Sequence, residues 1–164
     1  MKKILIFIIA TTTLACSNAQ EKQFSKQSLE KKLITPENTE IAFKDILKKH
    51  NGKTTVIEVW ASWCSDCVKA MPKVKQMQTD FPDVDYVFLS MDKAFDKWEA
   101  GVKHHELKGD HYWAADGMKG EFGKSIDLDW IPRYIVIDKT GKVTLYRAIE
   151  TDFEKIYDQI KKLQ

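Results

Sequence analysis

A layered α/β domain with a central mixed β-sheet is the fold class that this sequence predicts. Short apolar runs rich in β-branched residues alternate with helical segments, which is typical of α/β layers. Two later β-type segments flank a Gly-containing turn at 139–142 and are followed by a C-terminal helical pattern, so a hairpin and a helix should close the fold. A length of 164 residues suits one domain with a leader.

The first residues have the layout of an export signal, which we assign to 1–19. Two lysines precede the apolar run 4–10, which is far shorter than the roughly 20 residues that cross a bilayer. The segment 20–35 is polar with little apolar periodicity, so we expect a linker, followed by one folded domain over 36–164. The protein is therefore expected in the periplasm or at the cell envelope.

Two ways of processing the signal stay open. The segment 13–16 resembles a bacterial lipobox, in which case Cys16 would be lipidated and would tether the protein to a membrane. Alternatively, signal peptidase would cut before Gln20. Both routes leave Cys64 and Cys67 as the free thiols of the mature protein, and one close pair indicates a redox centre or half of a metal site.

Helix and strand signals place this pair at a strand-to-helix turn. A first helix, capped by Asn38 or Thr39, should run through Leu47, and a fully buried strand should follow at 56–60. The remaining predicted elements are helix 64–79, strand 84–90, helix 94–107, strand 112–114, helix 118–126, hairpin strands 134–138 and 143–147, and helix 152–163.

The spacing of Cys64 and Cys67 suits dithiol chemistry. At a helix N-terminus, unpaired N–H groups and the macrodipole stabilise a thiolate and can lower a thiol pKa to roughly 3.5–7.5. Cys64 would attack a substrate disulfide, and Cys67, one turn further on, would resolve the mixed disulfide. The acidic Asp66 opposes a thiolate and should moderate the lowered pKa of Cys64. The same spacing also serves zinc sites, so a metal-binding or structural module is the alternative.

Charge and histidine content argue against other classes. The net charge of +2 is spread over interleaved Lys, Glu and Asp, so nothing indicates nucleic acid binding. The histidines, His50, His104, His105 and His111, have no H-x-x-x-H spacing and no second C-x-x-C beside them. We therefore expect solvated surface histidines and no metal site.

The segment 59–67 with Pro72 resembles the active-site strand, turn and kinked helix of thioredoxins, above all the exported TlpA- or ResA-like branch. The segment 130–138 resembles the proline loop of that family, and 93–126 its helix-strand insertion. The resemblance implies a thioredoxin-like fold, thiol-disulfide exchange with protein substrates and no cofactor. It also favours a reductase fed by a membrane electron donor, with cytochrome c maturation as a candidate role. Ser65-Asp66 departs from the usual Gly-Pro or Glu-Pro pair, which leaves the redox potential open.

The resemblance also implies roles for residues outside the pair. Glu58, six residues before Cys64, matches a buried carboxylate that shuttles the proton of Cys67, and burial would raise its pKa toward the range of a general base. A partly solvated position at the strand end is the alternative, because an ionised carboxylate is costly on a strand buried on both faces.

The proline loop and two tryptophans complete the candidate site. The resemblance implies a cis bond between Ile131 and Pro132 that faces the cysteines, with the backbone of Ile131 pairing with the substrate chain. Trp60 and Trp63 are open to two interpretations, core and rim aromatics or substrate contacts, and Trp63 is the candidate for substrate binding.

Overall fold

The computed structural model describes residues 23–164 of the chain. This part contains thirteen helices and strands. The predicted export signal and Cys16 lie outside these residues. No helix within 23–164 combines the length and apolar character needed to cross a membrane. In chain order the elements are α1 (Lys26–Leu29), β1 (Lys32–Ile34), β2 (Glu40–Ala42), α2 (Phe43–Lys49), β3 (Thr55–Trp60), α3 (Ser65–Asp80), β4 (Asp85–Ser90), α4 (Phe95–His105), β5 (Asp110–Trp113), α5 (Glu121–Ser125), β6 (Arg133–Ile137), β7 (Val143–Ala148) and α6 (Phe153–Leu163).

The strands form one mixed sheet in the order β2-β1-β5-β4-β3-β6-β7. Strands β3, β4 and β5 run parallel to one another, and the helices α3 and α4 connect them. Strand β6 pairs antiparallel with β3 and forms the closing hairpin with β7. The predicted mixed sheet, the closing hairpin and the inserted helix and strand before the proline loop are all confirmed.

Helices α3 and α6 cover the face of the sheet that carries Tyr86 and Tyr134. The Tyr86 hydroxyl donates to the carbonyl oxygen of Met77 in α3 at 3.0 Å, and the Tyr134 ring lies 5.3 Å from that of Phe153 in α6. Strand β3 lies between the strands of these two tyrosines, and each of its residues is buried. The strand that leads to the cysteines is thus an interior strand, as its nearly continuous apolar run predicts.

The structure corrects the prediction of a linker over 20–35, because α1 and β1 fall within it. Leu33 is completely buried and pairs with Ile41 of β2, and the ring of Phe24 packs edge-on against Phe43 with centroids 4.8 Å apart. A three-residue strand between lysine-rich neighbours is too short to display apolar periodicity. The folded part of the chain therefore begins before residue 36.

The first predicted helix also starts later than the sequence indicates. Asn38 and Thr39 do not cap it; the helix begins at Phe43, and residues 40–42 form β2. Asn38 has a left-handed backbone with φ of 56°, and the amide N–H of Thr35 donates to the carbonyl of Thr39 at 2.8 Å. Asn favours left-handed turn positions as well as helix caps, and here it makes the turn of a β-hairpin.

The expectation of solvated histidines fails for His50. Its side chain is 9% exposed, with Nδ1 2.8 Å from Asp85 Oδ2 and Nε2 3.2 Å from Asp110 Oδ2. These aspartates begin the neighbouring strands β4 and β5, an adjacency that a sequence pattern does not reveal. His111 is half-buried against a phenylalanine of β4, whereas His104 is exposed as expected.

Candidate active site at the start of helix α3

Cys64 and Cys67 form a disulfide at the first turn of α3. Strand β3 ends at Trp60, and the chain turns through a hydrogen bond from the amide of Cys64 to the carbonyl of Ala61 at 3.1 Å. Cys64 is the N-cap of the helix, because its Sγ accepts the amide N–H of Cys67 at 3.1 Å. The sulfur of Cys64 thus lies where helix N–H groups would stabilise its thiolate after reduction.

The two cysteines differ in exposure. Cys64 is 7% exposed, whereas Cys67 is completely buried. An incoming disulfide can therefore reach Cys64 before Cys67. The exposures agree with an attacking role for Cys64 and a resolving role for Cys67.

The proline loop lies directly against the disulfide. The Ile131–Pro132 bond is cis, and the Ile131 carbonyl oxygen is 3.6 Å from Cys64 Sγ. Cys64 and Ile131 are 67 residues apart in the chain, so the sheet brings the two motifs of the sequence together. The expected arrangement of cis bond and cysteines is confirmed.

Three large apolar side chains are exposed in the described part of the chain, and each is the sequence neighbour of a residue at this site. Trp63, which precedes Cys64, is 54% exposed, Val68 is 36% exposed and Trp130 is 51% exposed. Trp60, by contrast, is completely buried and belongs to the core. Trp130 was not among the predicted contacts, although its position next to Ile-Pro was a signal that could have identified it.

Asp92 fixes the turn that precedes Cys64, and nothing in the sequence singled it out. It is completely buried, and its carboxyl oxygens accept the Ser62 amide at 3.1 Å, the Ser62 hydroxyl at 2.6 Å and the Ser90 hydroxyl at 2.7 Å. Its carbonyl accepts the indole N–H of Trp113 at 2.8 Å. The end of β4 is thereby joined to the backbone two residues ahead of Cys64.

A second set of charges anchors the proline loop. Arg133, directly after the cis bond, is 2% exposed and pairs with Asp129 at the start of the loop. Arg147 on β7 contacts the same Asp129 at 2.6 Å and also pairs with Asp127. These ion pairs tie the loop to strands β6 and β7, and no motif in the sequence indicated them.

Glu58 is buried inside the sheet layer, which excludes the interpretation as a solvated strand end. It is 2% exposed, and its Oε1 accepts the hydroxyl of Tyr134 at 3.2 Å. Its Oε2 is buried and has no hydrogen-bond partner among the described residues. Burial raises the pKa of Glu58 to about 8, against a weaker lowering by the Tyr134 hydrogen bond.

The side chain of Glu58 lies on the face of β3 that α3 covers. Residues in register on neighbouring strands share a face, and Val56 of β3 is paired with Tyr86, whose hydroxyl bonds to α3. Glu58 is two residues further along the strand and so has the same orientation. Its carboxyl group therefore lies under the helix whose first turn holds Cys67.

A disulfide at a helix N-terminus, a proline loop beside it and a buried acid on the preceding strand are the features of a thiol-disulfide oxidoreductase of thioredoxin type. The family model described as Thioredoxin-like matches residues 51–143, more than half of the chain. The chain therefore belongs to the thioredoxin-like family, and it is a thiol-disulfide oxidoreductase that carries a Cys-x-x-Cys pair.

Individual relatives and solved structures agree with this assignment. The thiol-disulfide oxidoreductase ResA of Bacillus thuringiensis is 28% identical over 119 residues, which cover 71% of this chain and 67% of the relative. A thiol-disulfide oxidoreductase from Bacteroides fragilis has a TM-score of 0.66 at 19% identity, covering 85% of this chain and 100% of that one. A secreted Mycobacterium tuberculosis disulfide oxidoreductase, described as homologous to DsbE of E. coli, has a TM-score of 0.64 at 17% identity, covering 85% and 100%. The structural matches show the predicted thioredoxin-like fold.

Proposed function

We propose that this protein reduces disulfides of protein substrates in the cell envelope. The export signal predicted over 1–19 supports a location outside the cytoplasm, and a lipid on Cys16 would tether the protein to a membrane. The similarity to ResA and to a secreted disulfide oxidoreductase supports the same compartment. The reaction needs no organic cofactor, because the dithiol carries both electrons.

The observation that carries the choice of substrate is the set of exposed apolar side chains at the disulfide. Trp63, Val68 and Trp130 adjoin Cys64, Cys67 and the proline loop in sequence, and they are the exposed large apolar residues of 23–164. Exposed apolar patches beside a reactive centre are typical of protein-binding surfaces. A polypeptide that presents a disulfide would cover them, whereas a small thiol would not.

The first chemical step belongs to Cys64. In the reduced protein its thiolate, stabilised at the start of α3, attacks one sulfur of the substrate disulfide. A bond forms between Cys64 and that sulfur, and the other substrate sulfur leaves as a thiolate. The carbonyl of Ile131, 3.6 Å from Cys64 Sγ, lies beside the position of the mixed disulfide and offers an acceptor to the backbone of the substrate.

The second step belongs to Cys67 and Glu58. The thiol of Cys67 gives its proton to the ionised carboxylate of Glu58 and attacks Cys64 Sγ. The Cys64–Cys67 disulfide forms, and the substrate leaves with both of its sulfurs reduced. Two electrons have then passed from the dithiol to the substrate, and the proton is held on Glu58.

The reductase direction requires an external source of electrons. A membrane donor of dithiol type would reduce the disulfide again after each turnover, and cytochrome c maturation is the process that such a reductase would serve. The resemblance of the sequence to the TlpA- or ResA-like branch favours this direction. A measured reduction potential would test it, because a reductant of substrate disulfides needs a potential below theirs.

Two cysteine variants test the proposal. Cys64→Ser should abolish the reduction of insulin disulfides, because the attacking sulfur is lost. Cys67→Ser should complete the first step and accumulate mixed disulfides, visible as protein adducts on non-reducing gels. The double variant is the control for adducts that do not involve these sulfurs.

The reverse pattern, with adducts on the Cys64 variant and normal turnover by the Cys67 variant, would contradict the assigned roles. Thiol titration with and without a chelator tests the alternative of a metal-binding module. Thiols that become reactive only after chelation would favour that alternative. Within 23–164, no group of three or more His, Cys, Asp and Glu side chains is arranged to hold a metal ion.

A further inference from the structure

Tyr134 makes the hydrogen bond that orients the buried acid. It is completely buried, lies opposite Glu58 in the register of β3 and β6, and its hydroxyl is 3.2 Å from Oε1 of Glu58. The other oxygen, Oε2, is buried without a hydrogen-bond partner among the described residues. The Tyr134 hydroxyl thus holds Oε1 of Glu58, and Oε2 is left available to accept a proton.

The other groups around this pair are two aromatic rings and the charged side chains of Glu150 and Lys73. Strand β4 contributes Phe88, the register partner of Glu58, and α6 contributes Phe153 against the ring of Tyr134. On α3, Cys67 is completely buried in the first turn, and the ammonium group of Lys73 lies 5.3 Å from the Phe153 ring. Tyr134 is therefore the titratable group that is bonded to the acid.

The Tyr134 hydroxyl stays a donor throughout the working pH range. Burial, then the charge of Glu58 and its hydrogen bond, and then the charge of Glu150 hold the pKa of Tyr134 well above its ordinary value. A phenol that does not ionise always presents its proton to the carboxyl group. The bond to Glu58 is consequently strongest when the acid is ionised.

We propose that Tyr134 is a positioning residue: its hydroxyl holds Oε1 of Glu58, so that Oε2 is the atom that receives the proton of Cys67. The proposal rests on the proton-accepting role of Glu58 put forward above. It assigns the two oxygens separate tasks and explains why a buried acid keeps one oxygen unpaired. Loss of the hydroxyl would leave the ionised acid without its donor and would favour the protonated form.

The test is Tyr134→Phe, compared with Tyr86→Phe. Both variants remove one buried hydroxyl from the same face of the sheet, but the Tyr86 hydroxyl donates to the carbonyls of Met77 and Phe81 rather than to the acid. The pH-rate profile of insulin-disulfide reduction should shift upward by about one pH unit in Tyr134→Phe, because a donor to a charged group is lost. Tyr86→Phe should keep the wild-type midpoint.

A readout independent of activity comes from infrared spectroscopy of the oxidised protein. The carbonyl band of the protonated Glu58 carboxyl, assigned by its absence in Glu58→Gln, should disappear at a higher pH in Tyr134→Phe than in the wild type. Melting curves establish that each variant is folded. Tyr134→Met, another apolar replacement, repeats both measurements if the phenylalanine variant does not fold.

The outcomes separate this inference from the function on which it rests. A Glu58→Gln profile that superimposes on the wild type would overturn the role of Glu58 and the positioning role together. A Glu58→Gln variant that loses the pH-dependent step, beside a Tyr134→Phe variant with the wild-type midpoint and an unshifted carboxyl band, would overturn only the role of Tyr134.

Discussion

Two buried carboxyl groups near the disulfide differ in how completely they are hydrogen-bonded. Asp92, two residues after β4, is completely buried, and both of its carboxyl oxygens accept hydrogen bonds from Ser62 or Ser90. Glu58, on β3, is buried to nearly the same degree, yet it has one donor, Tyr134, and one oxygen without a partner. Burial alone therefore does not distinguish the two groups, whereas hydrogen bonding does.

The difference indicates what each acid is for. A buried polar group is costly unless its hydrogen bonds are satisfied, and the bonds of Asp92 join β4 to the turn before Cys64. Glu58 retains part of that cost and has a pKa raised to about 8, which is suited to exchanging a proton near neutral pH. We infer that Asp92 is an anchor and that Glu58 is part of the chemistry.

The largest expected effect is on the pH dependence of stability. The pKa of Glu58 is raised from 4.5 to about 8 in the folded protein, so the folded state binds this proton more tightly than the unfolded state does. The resulting stability is fully present below about pH 4.5 and is lost as the pH rises through about 8. The oxidised wild type should therefore lose several kcal/mol relative to Glu58→Gln over this interval, since each pKa unit corresponds to about 1.4 kcal/mol.

Chemical denaturation at a series of pH values measures this difference. The comparison with Glu58→Gln removes the contributions of the other titrating groups, which both proteins share. Parallel stability curves for the two proteins would contradict a raised pKa at Glu58. The proposed difference in role between Glu58 and Asp92 would then have no support.

A smaller effect is expected from Asp92→Ala. This change leaves the Ser62 amide, its hydroxyl and the Ser90 hydroxyl without their acceptor, which should lower the free energy of unfolding by roughly 2–4 kcal/mol. The matched control is Asp138→Ala in the turn after β6, where the carboxyl also accepts backbone and hydroxyl hydrogen bonds, from Thr140 and Lys142, but nearer to solvent. Urea unfolding of both variants should show the larger loss for Asp92. An equal or smaller loss would mean that Asp92 is not the anchor.

The smallest effect is expected from Ser62→Ala, which removes one of the hydrogen bonds of Asp92. Ser62→Ala removes the hydroxyl 2.6 Å from Asp92 but keeps the backbone bond, so we expect a loss of about 1 kcal/mol. Alkylation of reduced Cys64 should also change in rate, because the turn before it is held less firmly. Ser125→Ala, which removes a hydroxyl bonded to a carbonyl within α5, is the control and should leave the alkylation rate unchanged. Equal rates in both variants would confine the role of Ser62 to stability.

The centre of the site could be predicted because its signals are local. Cys64 and Cys67 are three residues apart, Glu58 lies on the strand that leads to them, and Pro132 opens a recognisable apolar strand. Each of these features is readable within a few residues of sequence. The structure brings Ile131 and Cys64 together, as the resemblance to thioredoxins implies.

The supporting contacts could not be predicted, because they join residues that are distant in sequence. Asp92 lies 30 residues from Ser62, and Tyr134 lies 76 residues from Glu58. Their pairing follows from the strand order and register, which no local pattern encodes. The two N-terminal strands could not be predicted for another reason: each has three residues, which are too few to show alternation.

The central claim is that the incompletely bonded acid takes part in the reaction, and the pH-rate profile of insulin-disulfide reduction tests it most directly. Wild type and Glu58→Gln are compared, with melting curves recorded in parallel. We expect the wild-type rate to rise as the pH passes about 8, and Glu58→Gln to lack this rise while melting at an equal or higher temperature. Superimposable profiles would contradict it and remove Glu58 from the mechanism.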